Sequence, residues 1–397
     1  MDENNEKKRT TEAWEKLMSS FTDDLWIEIL LRLPVKPLLR FKSVSKSWFS
    51  IISSHRFAKS HLMAAAKDDQ VLIVHQEADD GSFALFHLGS ERIFKNLKFP
   101  YSQGEYPSDD ISSTLIGSDC GIVCVSVDLS YWPVAKKEFD IYLWNPATKH
   151  SKLIPSYTKP DDDRTSGALG FGFDHIDFDF KLVKVLSHNL SAKVYSSIRN
   201  DWQNIQPKPS DVPQGNSFDV CFHGFLFAIG RNSGMMMAFN LNKELFICDI
   251  NLPGCSFDDA PGSIETRVSD FKDTITVIFF VVDDGEIQLW TLDDEACLHG
   301  GGVEALWTNV LSIDVGVPLL FVEGLFNNFQ IFVVNRDKDR FMYDLNKKVT
   351  GPYFEFETGE IFKYTKSLFS LQGFKRIKWA ASSLRLQDSS DSGCGNG

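Results

Sequence analysis

The chain has 397 residues, of which 43% are hydrophobic and 24% are charged, and its formal net charge is −13. This balance is ordinary for a globular protein and excludes a mainly disordered or fibrous chain. The acidic excess disfavours nucleic-acid binding, because phosphate contacts need clustered Lys and Arg. We also expect no membrane association, since no stretch of about 18 apolar residues is present.

The cysteines and the N-terminus indicate a cellular compartment. Residues 1–11 are polar and charged, without the apolar core of a secretory signal. The seven cysteines are an odd number and contain no CxxC pair. Both features are typical of a reduced protein inside the cell, so we expect the cytoplasm, the nucleus or both.

Charge divides the chain into two unlike parts. Eight basic residues and no acidic residue lie between Ile29 and Lys67. They are Arg32, Lys36, Arg40, Lys42, Lys46, Arg56, Lys59 and Lys67. Subtracting these eight positive charges from the total of −13 leaves −21 on the rest of the chain. A small basic module therefore precedes a large acidic one.

The basic module has the pattern of three short helices. The first is predicted to begin at Thr22, a suitable N-cap, and to end before Pro34. A second is predicted to start at Pro37, and a third to contain Trp48 and end before Ser53. The apolar positions of the first helix follow helical spacing and are Leu25, Trp26, Ile29, Leu30 and Leu33. Three such helices form too small a core to be stable alone, so their apolar faces need a partner.

The remainder of the chain shows an internal repeat of strands and turns. A strand ending in an aromatic residue is followed by a polar turn six times, at Phe86, Trp144, Tyr195, Phe239, Trp290 and Tyr343. Successive aromatics are 44 (Tyr195 to Phe239) to 58 (Phe86 to Trp144) residues apart. Repeats of this length with several strands each are typical of propeller blades, so we predict an all-β, propeller-like fold of six or seven blades. A pair of β-sandwiches is the alternative.

The helical segment resembles an F-box. The resemblance is carried by DLWIEILLRLPVK at 24–36, LLRFKSVSKSW at 38–48 and IISS at 51–54. It implies that the helices bind a Skp-family adaptor and, through it, a cullin. The implied adaptor-binding residues are Leu25, Ile29, Leu30, Leu33, Pro34, Leu38, Leu39, Val44 and Trp48. An apolar helix face laid into a groove, with basic residues steering towards an acidic adaptor, agrees with that role.

The rest of the chain resembles the F-box-associated domain of plant F-box proteins, often labelled F-box/kelch-repeat. The matching pieces include CGIVC at 120–124, LWNPATK at 143–149, GFGFD at 170–174 and FKLVKV at 180–185. The resemblance implies a substrate-recognition subunit of a Skp–cullin–F-box ubiquitin ligase, whose C-terminal domain binds an unidentified target protein. We predict a flexible segment at 1–17, the F-box at 18–64, the β domain at 65–383 and a disordered tail at 384–397.

No pattern for catalysis or metal binding emerges from the sequence. Cys120 and Cys124 are four apart in a strand-like stretch, so both are expected on one face, but two further ligands are missing. No calcium loop, P-loop or GxSxG motif occurs. We therefore expect no cofactor and no enzymatic activity.

Two alternative functions remain open. One is a propeller enzyme with a helical appendage, which would gather His, Asp or Cys side chains at a channel mouth. The other is an F-box scaffold that acts outside a ligase.

Overall fold

The computed structural model describes residues 23–65, 71–76, 83–87, 92–97, 113–128, 139–155, 167–254, 263–299, 304–326, 329–354 and 358–376. The segments predicted to be flexible, 1–17, and disordered, 384–397, lie outside the described residues, as does Thr22.

Four helices form the N-terminal module: α1 (Asp23–Leu31), α2 (Val35–Phe41), α3 (Lys46–Ser53) and α4 (His55–Ala65). The second helix starts at Val35 and not at Pro37, because a proline is tolerated within the first turn, where N–H groups have no helical acceptor. The fourth helix was not predicted. Its start is defined by Ser54, whose hydroxyl accepts a hydrogen bond from the Phe57 N–H at 3.2 Å.

The β domain contains 25 strands and one short 3₁₀ helix (Glu295–His299) among the described residues. The strands are β1 Val71–Gln76, β2 Phe83–His87, β3 Arg92–Leu97, β4 Ser113–Asp119, β5 Ile122–Asp128, β6 Phe139–Asn145, β7 His150–Leu153, β8 Gly167–Asp174, β9 Asp179–Leu186, β10 Ala192–Ser196, β11 Asp201–Asn204, β12 Val220–Phe222, β13 Phe225–Ile229, β14 Met236–Asn240, β15 Leu245–Ile250, β16 Ile264–Phe271, β17 Thr274–Val281, β18 Glu286–Leu292, β19 Trp307–Asp314, β20 Leu319–Phe326, β21 Gln330–Asn335, β22 Arg340–Asp344, β23 Val349–Phe354, β24 Thr358–Tyr364 and β25 Lys375–Arg376.

These strands form six antiparallel sheets, which are the blades of a propeller. Blade 1 is β24-β1-β2-β3, blade 2 is β4 to β7 with β25 at its outer edge, and blades 3 to 6 are β8–β11, β12–β15, β16–β19 and β20–β23. The innermost strands of neighbouring blades contact one another around the whole ring. The predicted propeller is therefore confirmed with six blades, and the alternative of packed sandwiches is wrong.

Each repeated aromatic lies on the third strand of its blade, as the repeat predicted. Phe86, Trp144, Tyr195, Phe239 and Tyr343 are all buried. Trp290 differs: its indole is partly exposed, and the pairing of β18 with β19 shifts between Leu289 and Trp290. The repeated aromatic is therefore a buried packing position in five of the six blades.

The polar turns after these aromatics share a backbone shape. The side chain at the end of the third strand accepts a backbone N–H from the turn in four blades, at Asn145, Ser196, Asn240 and Asp344. The last turn residue then has a positive φ in each case, at Lys149, Asn200, Glu244 and Lys348. The repeat in the sequence therefore reflects one hydrogen-bonded turn used four times.

The C-terminal strand β24 closes the ring, and a truncation tests this. A chain that ends at Phe354 lacks the innermost strand of blade 1, so β1 loses its partner and the ring has an open edge. We expect this chain to lose cooperative thermal unfolding. A chain that ends at Arg376 keeps every described strand and should unfold as the full chain does, by circular dichroism or calorimetry. Cooperative unfolding of the shorter chain would contradict the closure.

Candidate functional site

Five large apolar side chains are exposed on the helical module: Met63 on α4 is 64% exposed, and the other four lie on or near α1 and α3. Leu25 and Ile29 on α1 are 49% and 42% exposed, Val44 before α3 is 63% exposed, and Phe49 on α3 is 55% exposed. Leu25 and Ile29 are one helical turn apart, so they lie on one face of α1. Exposed apolar groups on a module this small are typical of a docking surface.

The structure sorts the predicted adaptor-binding residues into three groups. Leu25, Ile29, Pro34 and Val44 are exposed, whereas Leu33, Leu39 and Trp48 are partly buried against the helical core. Leu30 and Leu38 are fully buried inside that core. These two side chains face the interior of the helical module, and adaptor binding by the nine residues stays a prediction.

Phe49 was missed by the sequence argument. It follows Trp48 directly, and Trp48 and Ile52 occupy successive turns of the inner face of α3. The residue after an inward-facing position points away from it. The helical periodicity that identified Trp48 could therefore have identified Phe49 as exposed.

Exposed cations surround these apolar groups. Arg32, Lys36, Arg40 and Lys46 are all exposed and lie on or between α1, α2 and α3. No acidic residue follows Glu28 in the module to compensate them. The surface therefore combines apolar contacts with a positive field, which suits an acidic partner.

A C-terminal segment, residues 365–371, joins the helices to the propeller; we call it the strap. Leu368 is buried among α1, α2, α3 and α4, in the same cluster as Leu30 and Leu38. The next residue, Phe369, is buried in the core between blades 2 and 3. Two consecutive side chains thus belong to two different cores, which fixes the F-box module on the propeller.

Asn145 connects the strap to a blade turn. Its Oδ1 accepts hydrogen bonds from the backbone N–H groups of Ala147 and Thr148, at 3.0 and 3.1 Å. Its Nδ2 donates to the carbonyls of Ser367 and Phe369, at 3.1 and 2.9 Å. This fully buried amide therefore accepts hydrogen bonds at its oxygen and donates them from its nitrogen, which explains the asparagine in the LWNPATK motif.

Helix α4 also contacts the turn between β8 and β9. The Lys59 ammonium lies 3.6 Å from the centroid of the Phe178 ring, a cation–π contact. The His55 ring meets Phe178 and Phe369 edge-on, at 6.0 and 5.6 Å between centroids. Leu62 packs into the core between blades 2 and 3. These contacts were beyond sequence reasoning, because they join segments more than 100 residues apart.

A matched pair of substitutions tests the strap contact. Asn145→Asp keeps the acceptor for the turn but loses both donors and places a charge against two carbonyls, so we expect a loss of about 3 kcal/mol of unfolding free energy. Asn240→Asp is the control. The Oδ1 atom of Asn240 accepts a hydrogen bond from its turn, and an aspartate, Asp344, does the same at the equivalent position of blade 6. Denaturant unfolding measures both. Equal effects of the two substitutions would show that the strap contact contributes nothing.

Charged side chains from several blades meet in the channel, on the inner strands. Arg267 on β16 donates to Asp219 at 3.1 Å and lies 4.3 Å above the Phe321 ring. Glu360 on β24 accepts from the backbone of Leu115 at 3.2 Å. A pocket of about 110 Å³ adjoins Arg267 between blades 4, 5 and 6. This pocket can therefore hold a small polar or charged group.

Glu323 on β20 has an unusual acidity in this channel. Burial raises its pKa to about 7, and the nearby Glu360 and Asp219 carboxylates add to the rise, while Arg267 and Arg340 oppose it. Burial also raises the pKa of Asp219, although Arg267 works against that rise. The channel therefore changes its charge near neutral pH.

Glu323 gives a pH dependence of stability. Its ordinary pKa is 4.5, so the folded protein binds an extra proton between about pH 4.5 and about pH 7, and stability falls as pH rises through that window. Glu323→Gln removes this loss. We therefore expect the free energy of unfolding of this variant to exceed that of the parent by about 1–3 kcal/mol near pH 8, and by much less near pH 4. Thermal unfolding across pH measures the difference, with the exposed Glu286→Gln as control. A pH-independent difference would contradict the assignment.

Comparison with known proteins defines the family. Residues 18–60 match the F-box domain, and residues 70–298 match the F-box associated beta propeller domain. The chain therefore belongs to the family of F-box proteins with an F-box associated β-propeller. The resemblance inferred from the motifs is thereby confirmed.

Three relatives come from Arabidopsis thaliana. The F-box/kelch-repeat protein At3g23880 is 25% identical over 349 residues, which cover 82% of this chain and 90% of that protein. The putative F-box protein At4g21240 is 25% identical, with coverages of 72% and 70%. The F-box/kelch-repeat protein At2g43270 is 28% identical, with coverages of 51% and 95%.

None of the helices in the described residues is long and apolar enough to cross a membrane.

Proposed function

We propose that this protein is the substrate-recognition subunit of a Skp–cullin–F-box ubiquitin ligase. The F-box helices bind a Skp-family adaptor and, through it, a cullin, and the propeller binds the target protein. The proposal is carried by the apolar residues of α1 and α3 that are exposed beside exposed cations. They stay exposed although the hydrophobic core of the helical module is already filled. The family membership supports the same role.

The adaptor contact follows from what the helical module leaves uncovered. Its core is filled by Leu30, Leu38 and the strap residue Leu368, so Leu25 and Ile29 remain outside it. An apolar groove on an adaptor gains free energy by covering these two side chains. Arg32 and Lys36 adjoin α1 and would accelerate association with an acidic adaptor.

The target contact is assigned to the propeller, because blade turns and loops can vary without altering the strands that support them. The strap fixes the propeller relative to the helices, so a bound target would be held in one orientation relative to the adaptor. In this proposal the chain supplies proximity and no chemistry: it raises the effective concentration of target lysines near the ubiquitin-carrying enzyme. Its place of action is the cytoplasm, the nucleus or both.

Two charge substitutions on α1 test the adaptor contact. Leu25→Asp with Ile29→Asp places unpaired carboxylates in an apolar contact, so we expect adaptor binding to weaken by about 100-fold or more. Both side chains lie outside the core, so the melting temperature should stay close to that of the parent. Leu33 and Leu39 are less suitable, because they also pack against the helical core.

Binding is measured by titration calorimetry with a purified Skp-family adaptor. The control is Ile198→Asp, on an exposed residue of a blade turn, which should bind as the parent does. Unchanged affinity of the α1 variant would place the adaptor contact elsewhere. Adaptor binding without recovery of a cullin in a reconstituted pull-down would favour the scaffold role instead.

A further inference from the structure

Three potential metal ligands meet where blades 2 and 3 adjoin the F-box. The carboxylate of Asp119, the thiol of Cys120 and the imidazole of His175 have ligand atoms that all lie within 4.8 Å of one another. Asp119 and Cys120 come from the end of β4 and its turn into β5, and His175 from the turn between β8 and β9. The cluster therefore joins blades 2 and 3.

The backbone at Cys120 explains why the sequence argument missed this cluster. Cys120 and Gly121 form a two-residue hairpin turn with φ values of 49° and 77°, and Cys120 is not a strand residue. Cys120 is therefore in a turn and not on a strand, although it packs against the same core between blades 2 and 3 that contains Cys124. The Cys120 thiol also lies beside Asp119 and His175.

A second thiol, that of Cys221 on β12, forms a hydrogen bond with the same carboxylate. Burial raises the pKa of the Cys221 thiol, and the charge of Asp119 and a hydrogen bond to it add to that effect. Burial and Asp119 likewise raise the pKa of Cys120, with Cys221 contributing. Gly172 makes room for this arrangement, because a Cβ at that position would overlap the Cys221 Sγ. Cys221 of blade 4 therefore borders the cluster, whose three donors come from blades 2 and 3.

We propose that Asp119, Cys120 and His175 form a zinc-binding site that ties blades 2 and 3 together. One thiolate, one imidazole and one carboxylate are donors that zinc accepts, and a water molecule would complete a tetrahedral geometry. Zinc with bonds of about 2.3 Å to sulfur and about 2.0 Å to nitrogen holds its ligand atoms about 3.5 Å apart, so the three donors need only a small contraction. On binding, the thiol proton passes to solvent and the thiolate coordinates the metal.

The site would act on the fold. Three protein donors leave the fourth position of a tetrahedral zinc ion to water. His175 lies three residues before Phe178, the ring that contacts Lys59 and His55 of α4. Zinc would therefore fix the turn that α4 contacts, and so make the packing of the F-box against the propeller more rigid. This inference does not depend on the ligase role.

Metal content of the untagged, reduced, full-length protein tests the site directly. After incubation with zinc and desalting, we expect about one zinc ion per chain by mass spectrometry, and cobalt in its place should show thiolate-to-metal charge-transfer absorption. Cys120→Ser and His175→Ala should each weaken zinc binding by about tenfold or more in a chelator competition. The His175 side chain is exposed, so its removal leaves the fold intact.

Matched controls use residues of the same types away from the cluster. Cys297→Ser and His188→Ala change a buried thiol and an exposed imidazole, and both should bind zinc as the parent does. Hydrogen exchange should slow in α4 and in the turn carrying His175 when zinc is added to the parent, and not in His175→Ala. Absence of stoichiometric zinc, or equal zinc binding by the parent and both cluster variants, overturns the proposal and leaves a hydrogen-bonded thiol–carboxylate cluster.

Discussion

The structure depends on a single stretch of chain that packs side chains into two different hydrophobic cores. Residues 358–371 first supply β24, the innermost strand of blade 1, and then the strap. Leu368 completes the core of the helices, and Phe369 completes the core between blades 2 and 3. A helical module of some 40 residues cannot bury enough apolar surface alone, and the strap supplies what it lacks. The relative placement of the two parts therefore follows from the packing of the strap.

Local signals in the sequence were sufficient for the elements and for the architecture. The aromatic at the end of each third strand, followed by a polar turn, recurs because the same hydrogen-bonded turn recurs. The F-box helices were recognisable because the apolar spacing on α1 is set by neighbours three and four residues away. Errors at this level were small: the start of α2 was displaced from Val35 to Pro37, and α4 was missed.

Contacts between distant segments could not be read from the sequence. Leu30 and Ile29 are adjacent and equally apolar, and only the position of α4 and the strap decides that Leu30 is buried. Glu323 has an ordinary sequence context, and its raised pKa comes from burial and from carboxylates on other blades. The donors near Cys120 are likewise brought together by the ring. In each case the property belongs to the closed propeller, so sequence neighbours carry no signal of it.

Because the strap lies near the C-terminal end of the propeller, the core of the helices is completed late in synthesis. Residues 23–65 leave the ribosome first, but Leu368 follows only after roughly 300 further residues, at synthesis rates of about 5–20 residues per second. For tens of seconds the helices therefore exist without the side chain that completes their core. An unfinished or prematurely terminated chain therefore presents an F-box whose hydrophobic core is incomplete.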